Sequence, residues 1–397
     1  MATTGVIGQT WRADVTPTGS VQPWDGSAPL DWYVAADDRW HDPETDTGVR
    51  HQRVDGTAVF ETKVRIPGGD AIQRVWSVAD SGGYTLVEIT NDSSLPIAVA
   101  FTRPDVVANR PPADVPIQGI DLPAGSVLLP VGHRSTVVVG LAHTERAMAT
   151  LPGTLPAGLP AHDAVARGWL SRCDAASRLE LPDAADAEAV RAARCEALLC
   201  GPPDVDDDAE RFLLTAAELV RMGEWDERAV VAMVEDVAVA VERVVRAQSA
   251  LRGCAIDAAG VVLVAAGERR AVRDLQRFMS PCTTPAVVHG DMNPPIEVVA
   301  AVERRVAAGP VLFPDGVPPS WFGASVEAHG LVAGPSTRLS LAVRWHGANA
   351  AVLWEVTGDP VTLTSAAVPG GWTSTAPTGE ALWVLEAPNP DANILRS

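Results

Sequence analysis

The sequence predicts a multidomain chain of β and α parts. An antiparallel β-sandwich is expected over residues 1–150, an α-helical hairpin domain over 151–317 and a small antiparallel β domain over 318–397. Three observations carry this reading. Short apolar alternation punctuated by turn residues runs from Val54 to about Gly140. Helical spacing takes over after the Pro/Gly-rich stretch LPGTLPAGLPAHD, residues 151–163. Alternation then returns after VLFPDGVPPSWFG. A period of two residues puts successive side chains on opposite faces of a strand, whereas a period near 3.6 puts them on one face of a helix.

The first strands follow in order. TAVFETKVRI is closed by Pro67, Gly68, Gly69 and Asp70; IQRVWSVAD by Ser81, Gly82 and Gly83; YTLVEIT by Asn91 and Asp92. LPIAVAFT comes next and, after a Pro-rich loop, GSVLLPV and RSTVVVGLA. Strands of this length at this spacing, with turn residues between them, indicate an antiparallel sandwich.

Beyond the hinge, Ala, Leu, Arg and Glu dominate. In DVDDDAERFLLTAAELVRMGEW, Asp206 to Asp208 sit where the positive end of a helix dipole favours negative charge, Arg221 falls in the last turn and Gly223 stops the helix. Asp186 opens AEAVRAARCEALLC, which Gly201, Pro202 and Pro203 terminate. Glu227 to Arg246 is apolar on nearly every face apart from Glu235, Asp236, Glu242 and Arg243, which predicts a central, largely buried helix. Further helices are expected over 162–175, 254–266, 270–279 and 296–308. The final alternating segments are RLSLAVRWHG, ANAAVLWEVTG, VTLTSAAV and GEALWVLEA. Gly347, Ala348 and Asn349 separate one pair, and Gly358, Asp359 and Pro360 the next. No short fixed repeat is present.

Composition narrows the partners. A chain of 397 residues has room for two or three folding units, and 47% hydrophobic with 20% charged residues is ordinary globular composition. The formal net charge of -19 disfavours nucleic acid and anionic membrane surfaces, since the few Lys and Arg are outnumbered and scattered. Cys173, Cys195, Cys200, Cys254 and Cys282 form no C-x-x-C pair and read as buried thiols in a reducing compartment. With no secretory-type leader and no uninterrupted apolar span, a cytoplasmic location is expected. No H-E-x-x-H, Cys/His metal spacing, G-x-S-x-G, Walker loop or Rossmann fingerprint is present, so no metal and no cofactor is expected.

Four stretches carry candidate chemistry. HGDMNPPIE, beginning at His289, Gly290 and Asp291, resembles the catalytic loop of aminoglycoside-phosphotransferase-like kinases. Ile296 stands where that loop has its metal-binding Asn, and no Gly-rich loop with a following strand Lys occurs upstream. An ordinary loop entering a helix at Pro294 or Pro295 is the simpler reading. In PWDGSAPLDWYVAADDRWHD, the aromatic residues Trp24, Trp32, Tyr33 and Trp40 lie among Asp25, Asp31, Asp37, Asp38, Arg39, His41 and Asp42. That mixture suits sugar recognition, in which a ring face stacks on a pyranose and charged groups bind its hydroxyls; tryptophans plugging a core are the alternative. Arg344, His346 and Glu355 on RWHGANAAVLWEV face a cleft together or form a polar ladder on the wet side of a sheet. Asp208, Glu224 and Asp226, among the acidic helix connections, are candidates for a glycosidase carboxylate pair, with helix capping as the competing account.

The succession of a β part containing VEITNDSSLPIAVAF, an α-hairpin part and a β part containing RWHGANAAVLWEV resembles the layout of glucoamylase-like and glycogen-debranching-like, six-hairpin glycosidases. That resemblance implies an N-terminal sandwich leaning on an (α/α)6 toroid whose loops carry two catalytic carboxylates. The stretch from about 162 to 308 has room for roughly seven helices of ordinary length, so the toroid is expected to be incomplete. VPIQGIDLPAGS and FPDGVPPSWFG are similar to actinobacterial proteins of similar length, which brings no activity with it. The expected function is a carbohydrate-binding or scaffolding protein with an oligosaccharide partner. An active glycoside hydrolase using Asp226, Glu224 and Asp208, or a protein interaction module without a small ligand, are the alternatives.

Overall fold

In the computed structural model, residues 1–113, 119–143, 154–247, 250–278, 290–347 and 349–385 are described. The chain is a mixed β and α protein with several antiparallel sheets and, among the described residues, eight α-helices. It divides into two units, Met1–Leu170 and Ser171–Ser397.

In the first unit the strands are β1 (Ala2–Gly5), β2 (Arg12–Val15), β3 (Val21–Pro23), β4 (Trp32–Ala35), β5 (Trp40–His41), β6 (Arg50–Arg53) and β7 (Phe60–Ile66). They continue with β8 (Gly69–Val78), β9 (Tyr84–Asn91), β10 (Ile97–Phe101), β11 (Val107–Ala108), β12 (Val127–Val131) and β13 (Thr136–Ala142). Three sheets result, ordered β1-β2-β3, β12-β10-β4-β5 and β11-β13-β9-β8-β7-β6. The β7–β8 hairpin shows how the sequence sets register. Ile66 pairs with Gly69, leaving Pro67 and Gly68 as a two-residue turn. Gly68 has φ 78°, the value required at the third position of a type II turn after Pro. Val64, Val75, Val87, Ile89, Val137 and Val139 are fully buried. Each such aliphatic side chain contributes about 1.5–3 kcal/mol relative to exposure.

The helices are α1 (His162–Cys173), α2 (Ala184–Cys200), α3 (Ala209–Arg221), α4 (Glu227–Ala232), α5 (Val234–Ala247), α6 (Arg252–Ala265), α7 (Arg269–Leu275) and α8 (Glu297–Val306). The strands of the second unit are β14 (Arg178–Glu180), β15 (Ala307–Ala308), β16 (Val311–Leu312), β17 (Val326–Gly334), β18 (Thr337–His346), β19 (Asn349–Gly358), β20 (Leu363–Ser365), β21 (Trp372–Ser374) and β22 (Thr378–Val384). They form sheets ordered β14-β17-β18-β19-β22 and β15-β16-β20-β21. One buried apolar cluster runs from Leu179 through the helices to Trp383 and Leu385. Where composition marks a border at 317/318, the core is continuous: the inward side chains of α3, α6 and α8 pack in the same cluster as those of β17, β18 and β19.

Three expectations are corrected. The segment 227–246 is two helices, α4 and α5, broken at Met233, and α5 lies at the surface with only Val237, Ala240 and Val244 buried. The central helix is α6, buried from Gly253 to Ile256 and again from Ala258 to Leu263. The i, i+3, i+7 spacing of the α5 residues needs one apolar stripe only, whereas CAIDAAGVVLVA has Asp257 as its sole charge. The five cysteines are not uniformly buried thiols. Cys173 and Cys195 are buried and free, Cys200 is free and exposed, Cys254 is disulfide-bonded, and Cys282 lies outside the described residues. A disulfide removes the argument for a reducing compartment. Among the described residues no helix is long and apolar enough to cross a membrane.

Candidate functional site

A cavity of about 490 Å3 opens in the second unit. Three helices line it, each with a single row: Leu214, Ala217, Glu218 and Arg221 on α3; Cys254, Asp257, Ala258 and Val261 on α6; Ile296, Val299, Ala300, Glu303 and Arg304 leading along α8. Spacings of three and four residues place these side chains one above another on one helix face. The hairpin from Ala307 to Val311, together with Pro314 and the β17 end from Val332 to Pro335, completes the wall with apolar or backbone groups. Its size falls within the range of about 300–1,000 Å3 typical of small-molecule sites.

One wall leads into a buried charge cluster. Arg194 of α2 donates from Nε to Glu218 Oε2 at 2.7 Å and from Nη2 to Glu303 Oε1 at 3.1 Å. Arg221 donates from Nη1 to Glu218 and from Nη2 to Glu303 Oε1 at 2.7 Å. Ser177 Oγ donates to the same Glu303 oxygen at 2.6 Å and accepts from Arg194 Nη2 at 2.7 Å. Further Arg194 bonds reach the carbonyls of Ser177 at 2.9 Å and Cys173 at 3.3 Å. The two guanidinium groups and two carboxylates balance one another, the condition under which buried charge is tolerated; nearby Arg338 has its charge disfavoured by burial and then by Arg221, against the pull of Glu303 and Glu218. Burial alone pushes the Glu218 carboxyl up, but Arg221 and Arg194 outweigh it and hold it below its ordinary range. Burial likewise works against the Arg221 charge, and Glu218 and Glu303 reverse it, raising that group above its ordinary value. A β-bulge in β17 after Ala328 supports the arrangement. Gly330 sits there at φ 79°, its carbonyl 3.4 Å from Arg221 Nη2, and a Cβ on it would meet the Ala176 carbonyl at 2.9 Å.

Asp257 is different. Among the described residues it has no hydrogen-bond or ion-pair partner. Its side chain is exposed in the cavity wall. Protein nevertheless surrounds it closely enough that burial pushes its carboxyl up to about 6. Arg304, the remaining charged group of the lining, reaches Asp315 at 3.4 Å. Arg221 Nε is buried without a hydrogen-bond partner among the described residues.

The residues singled out in the sequence lie elsewhere. Trp32 is 2% exposed and donates from Nε1 to the Thr18 carbonyl at 3.0 Å, whereas Trp24 is 51% exposed, so these two do not form one stacking surface. Tyr33 and Trp40 are half-buried. Because Ala35 pairs with Trp40, they share a face of β4–β5 as diagonal neighbours. Burial, and then Asp42, Asp31 and Glu44, raise the Tyr33 hydroxyl above its ordinary value. Asp38 and Asp46 hold His41 at 3.1 and 2.8 Å, and Asp46 also pairs with Arg39 at 2.7 Å.

Arg344, His346 and Glu355 share the exposed face of β18–β19. Arg344 pairs with Ala351, four residues along β19 from Glu355, a separation of roughly 13 Å at about 3.3 Å per residue. Arg344 bonds to Glu327 instead. Asp208 caps α3 through the Arg211 amide at 3.0 Å, Asp226 caps α4 through the Ala229 amide at 2.8 Å, and Glu224 pairs with Arg172 at 2.7 Å. None of the three lines the cavity. Asp291 accepts from the Asn293 amide at 3.0 Å in a local turn, and His289 lies outside the described residues.

Sequence reasoning missed Arg194, Glu218, Arg221, Asp257 and Glu303. A signal for Asp257 was present: a lone carboxylate in an otherwise apolar helical run needs a reason. The other four read as ordinary helix-surface charges until the helices are packed. Among the described residues no group of three or more His, Cys, Asp or Glu side chains is placed to hold a metal ion. In comparison with known proteins, no family model, no curated protein and no solved structure matches this chain.

Proposed function

We propose that the Ser171–Ser397 unit is a receptor for a compact, largely apolar small molecule held in the cavity between α3, α6 and α8. The observation that supports this reading is the cavity itself. It has a volume suited to a ligand, and its walls are built from Leu, Val, Ile, Ala and Pro with a few ionisable groups among them. Binding fits better than catalysis, since Asp208, Glu224 and Asp226 are engaged as caps and an ion pair. The finer layout of an N-terminal sandwich, an incomplete six-hairpin helical part and a small β part remains part of this proposal.

The test uses the full chain and an environment-sensitive apolar dye, 1-anilinonaphthalene. Ala258→Phe and Ala300→Phe each fill cavity space from a different helix. Dye binding lost in both variants, with near-ultraviolet circular dichroism unchanged, supports the reading. Unchanged dye binding in both overturns it.

Carbohydrate binding is a second reading, in the first unit, favoured by one arrangement. Tyr33 and Trp40 lie half-exposed on one face with Asp31, Asp42 and Glu44 close to the Tyr33 hydroxyl. Ring faces beside carboxylates suit a pyranose. A maltooligosaccharide titration in which Trp40→Ala removes all binding supports this reading, and a titration without signal in the wild-type chain overturns it.

A further inference from the structure

Resting on the cavity reading, we propose that the ligand is a monocation, a primary or secondary amine on a compact apolar body, with its ammonium group seated on Asp257. Glu218 and Glu303 are each bonded by both Arg194 and Arg221, two positive and two negative groups, while Arg338 of β18, bonded to the carbonyls of Gly334, Pro335 and Thr337, is close enough to feel Arg221, Glu303 and Glu218 without lining the cavity. Arg304 lies against Asp315. Asp257 is then the ionisable group of the lining that no described residue neutralises.

Its position suits capture of a cation. Asp257 lies in the middle of the α6 row, between Cys254 and Val261, in a lining made mostly of Ala, Val, Ile, Leu and Pro. An ammonium group that reaches it forms a charge-assisted hydrogen bond beside apolar walls that the ligand's body covers. An anion is poorly served. Arg221 already shares its guanidinium between Glu218 and Glu303, and Arg304 lies against Asp315, so an incoming negative charge finds no cation in the described lining without a carboxylate partner.

The charged groups that share the cavity with Asp257 are Glu218 and Arg221 from α3 and Glu303 and Arg304 from α8. The β15–β16 hairpin and the β17 end contribute none. With a carboxyl near 6, Asp257 is about one-tenth ionised at pH 5 and almost wholly ionised at pH 7.5, so amine affinity rises about tenfold between those values.

The experiment compares three isosteric probes by calorimetric titration of the full chain: cyclohexylmethylamine, cyclohexylmethanol and cyclohexanecarboxylate. A charge-assisted bond predicts at least about tenfold tighter binding of the amine than of the alcohol at pH 7.5, and weaker binding of the carboxylate than of either. Asp257→Asn is expected to erase the amine's advantage while the alcohol binds as before. Equal or tighter binding of the alcohol or carboxylate, or an amine preference that survives in Asp257→Asn, overturns the amine assignment and leaves the cavity reading standing. Failure of all three probes in the wild-type chain overturns both.

Discussion

Arg194 is the residue on which the buried cluster most depends, and Arg194→Met tests the account most directly. Methionine keeps much of the apolar stem while deleting the guanidinium, which makes five hydrogen bonds to Glu218, Glu303, Ser177 and Cys173. Two buried carboxylates are left sharing Arg221. Breaking a buried ion pair from one side costs about 3–5 kcal/mol, because the partner's desolvation goes uncompensated. For a unit of this size, about 2–4 °C per kcal/mol translates this into a fall in melting temperature of roughly 6–20 °C. Urea denaturation with hydrogen exchange read separately on α2, α3 and α8 places the loss in the second unit. Adding Glu303→Gln to the variant should recover part of the loss, a coupling of about 1–3 kcal/mol, since one orphaned charge is removed. The pH dependence has a definite sign. Glu218 is held below its ordinary range in the native state, so its contribution is present above the unfolded value and fades as pH falls. The deficit of Arg194→Met is therefore largest near neutrality and shrinks in acid, where the orphaned carboxylates take up protons. A loss under about 1 kcal/mol, or strict additivity with Glu303→Gln, refutes the reasoning.

Other outcomes follow from single environments. Trp32→Ala should cost about 3–5 kcal/mol, because the ring is buried and hydrogen-bonded, whereas Trp24→Ala should fall within about 0.5 kcal/mol; urea midpoints compare them. Asp226→Ala should cost about 1 kcal/mol through the lost cap on α4, and Asp226→Asn, which retains a capping oxygen, much less, as thermal denaturation will show. His51 and His143 are each pushed down to about 4, chiefly by burial; Arg53 adds to it at His51, while at His143 Asp25 opposes it and Arg103 adds to it. Their unfolded forms protonate near pH 6.5, so first-unit stability should fall from about pH 6.5 towards 4 by at most about 1.4 kcal/mol per pH unit for each histidine. Stability measured across that range should show a shallower slope in His51→Gln, and an unchanged slope would contradict the burial argument.

Among the particular elements, strands β7, β8, β9, β10, β12 and β13 were legible because their alternation and their Gly, Pro and Asp turns are local properties. The same holds for α3, whose Asp208 cap and following Gly223 sit within a few residues of its ends, and for the end of α2 at Gly201, although the start read at Asp186 falls inside α2, whose cap is Asp183. The short strands β1 to β6 were not legible, since runs of two to four residues leave no period to read. The break at Met233 was equally invisible, because Glu227 to Arg246 carries no Gly or Pro to announce it.

What the sequence by itself determined is a mixed β and α chain, the approximate extents of β7 to β10, β12, β13 and α3, and a formal net charge of -19. Only the tertiary structure decided that the helices and the last strands share one core, that Arg194 and Arg221 are buried against Glu218 and Glu303, and that Asp257 faces a cavity. The physical reason is range. Periodicity, capping and turns act over fewer than about ten residues, whereas Arg194 meets Glu303 across 109 positions and Arg211 meets Glu297 across 86. Whether a carboxylate is an exposed cap, half of a buried pair or the lone charge of a cavity depends on which distant helix is packed against it, and no local pattern encodes that.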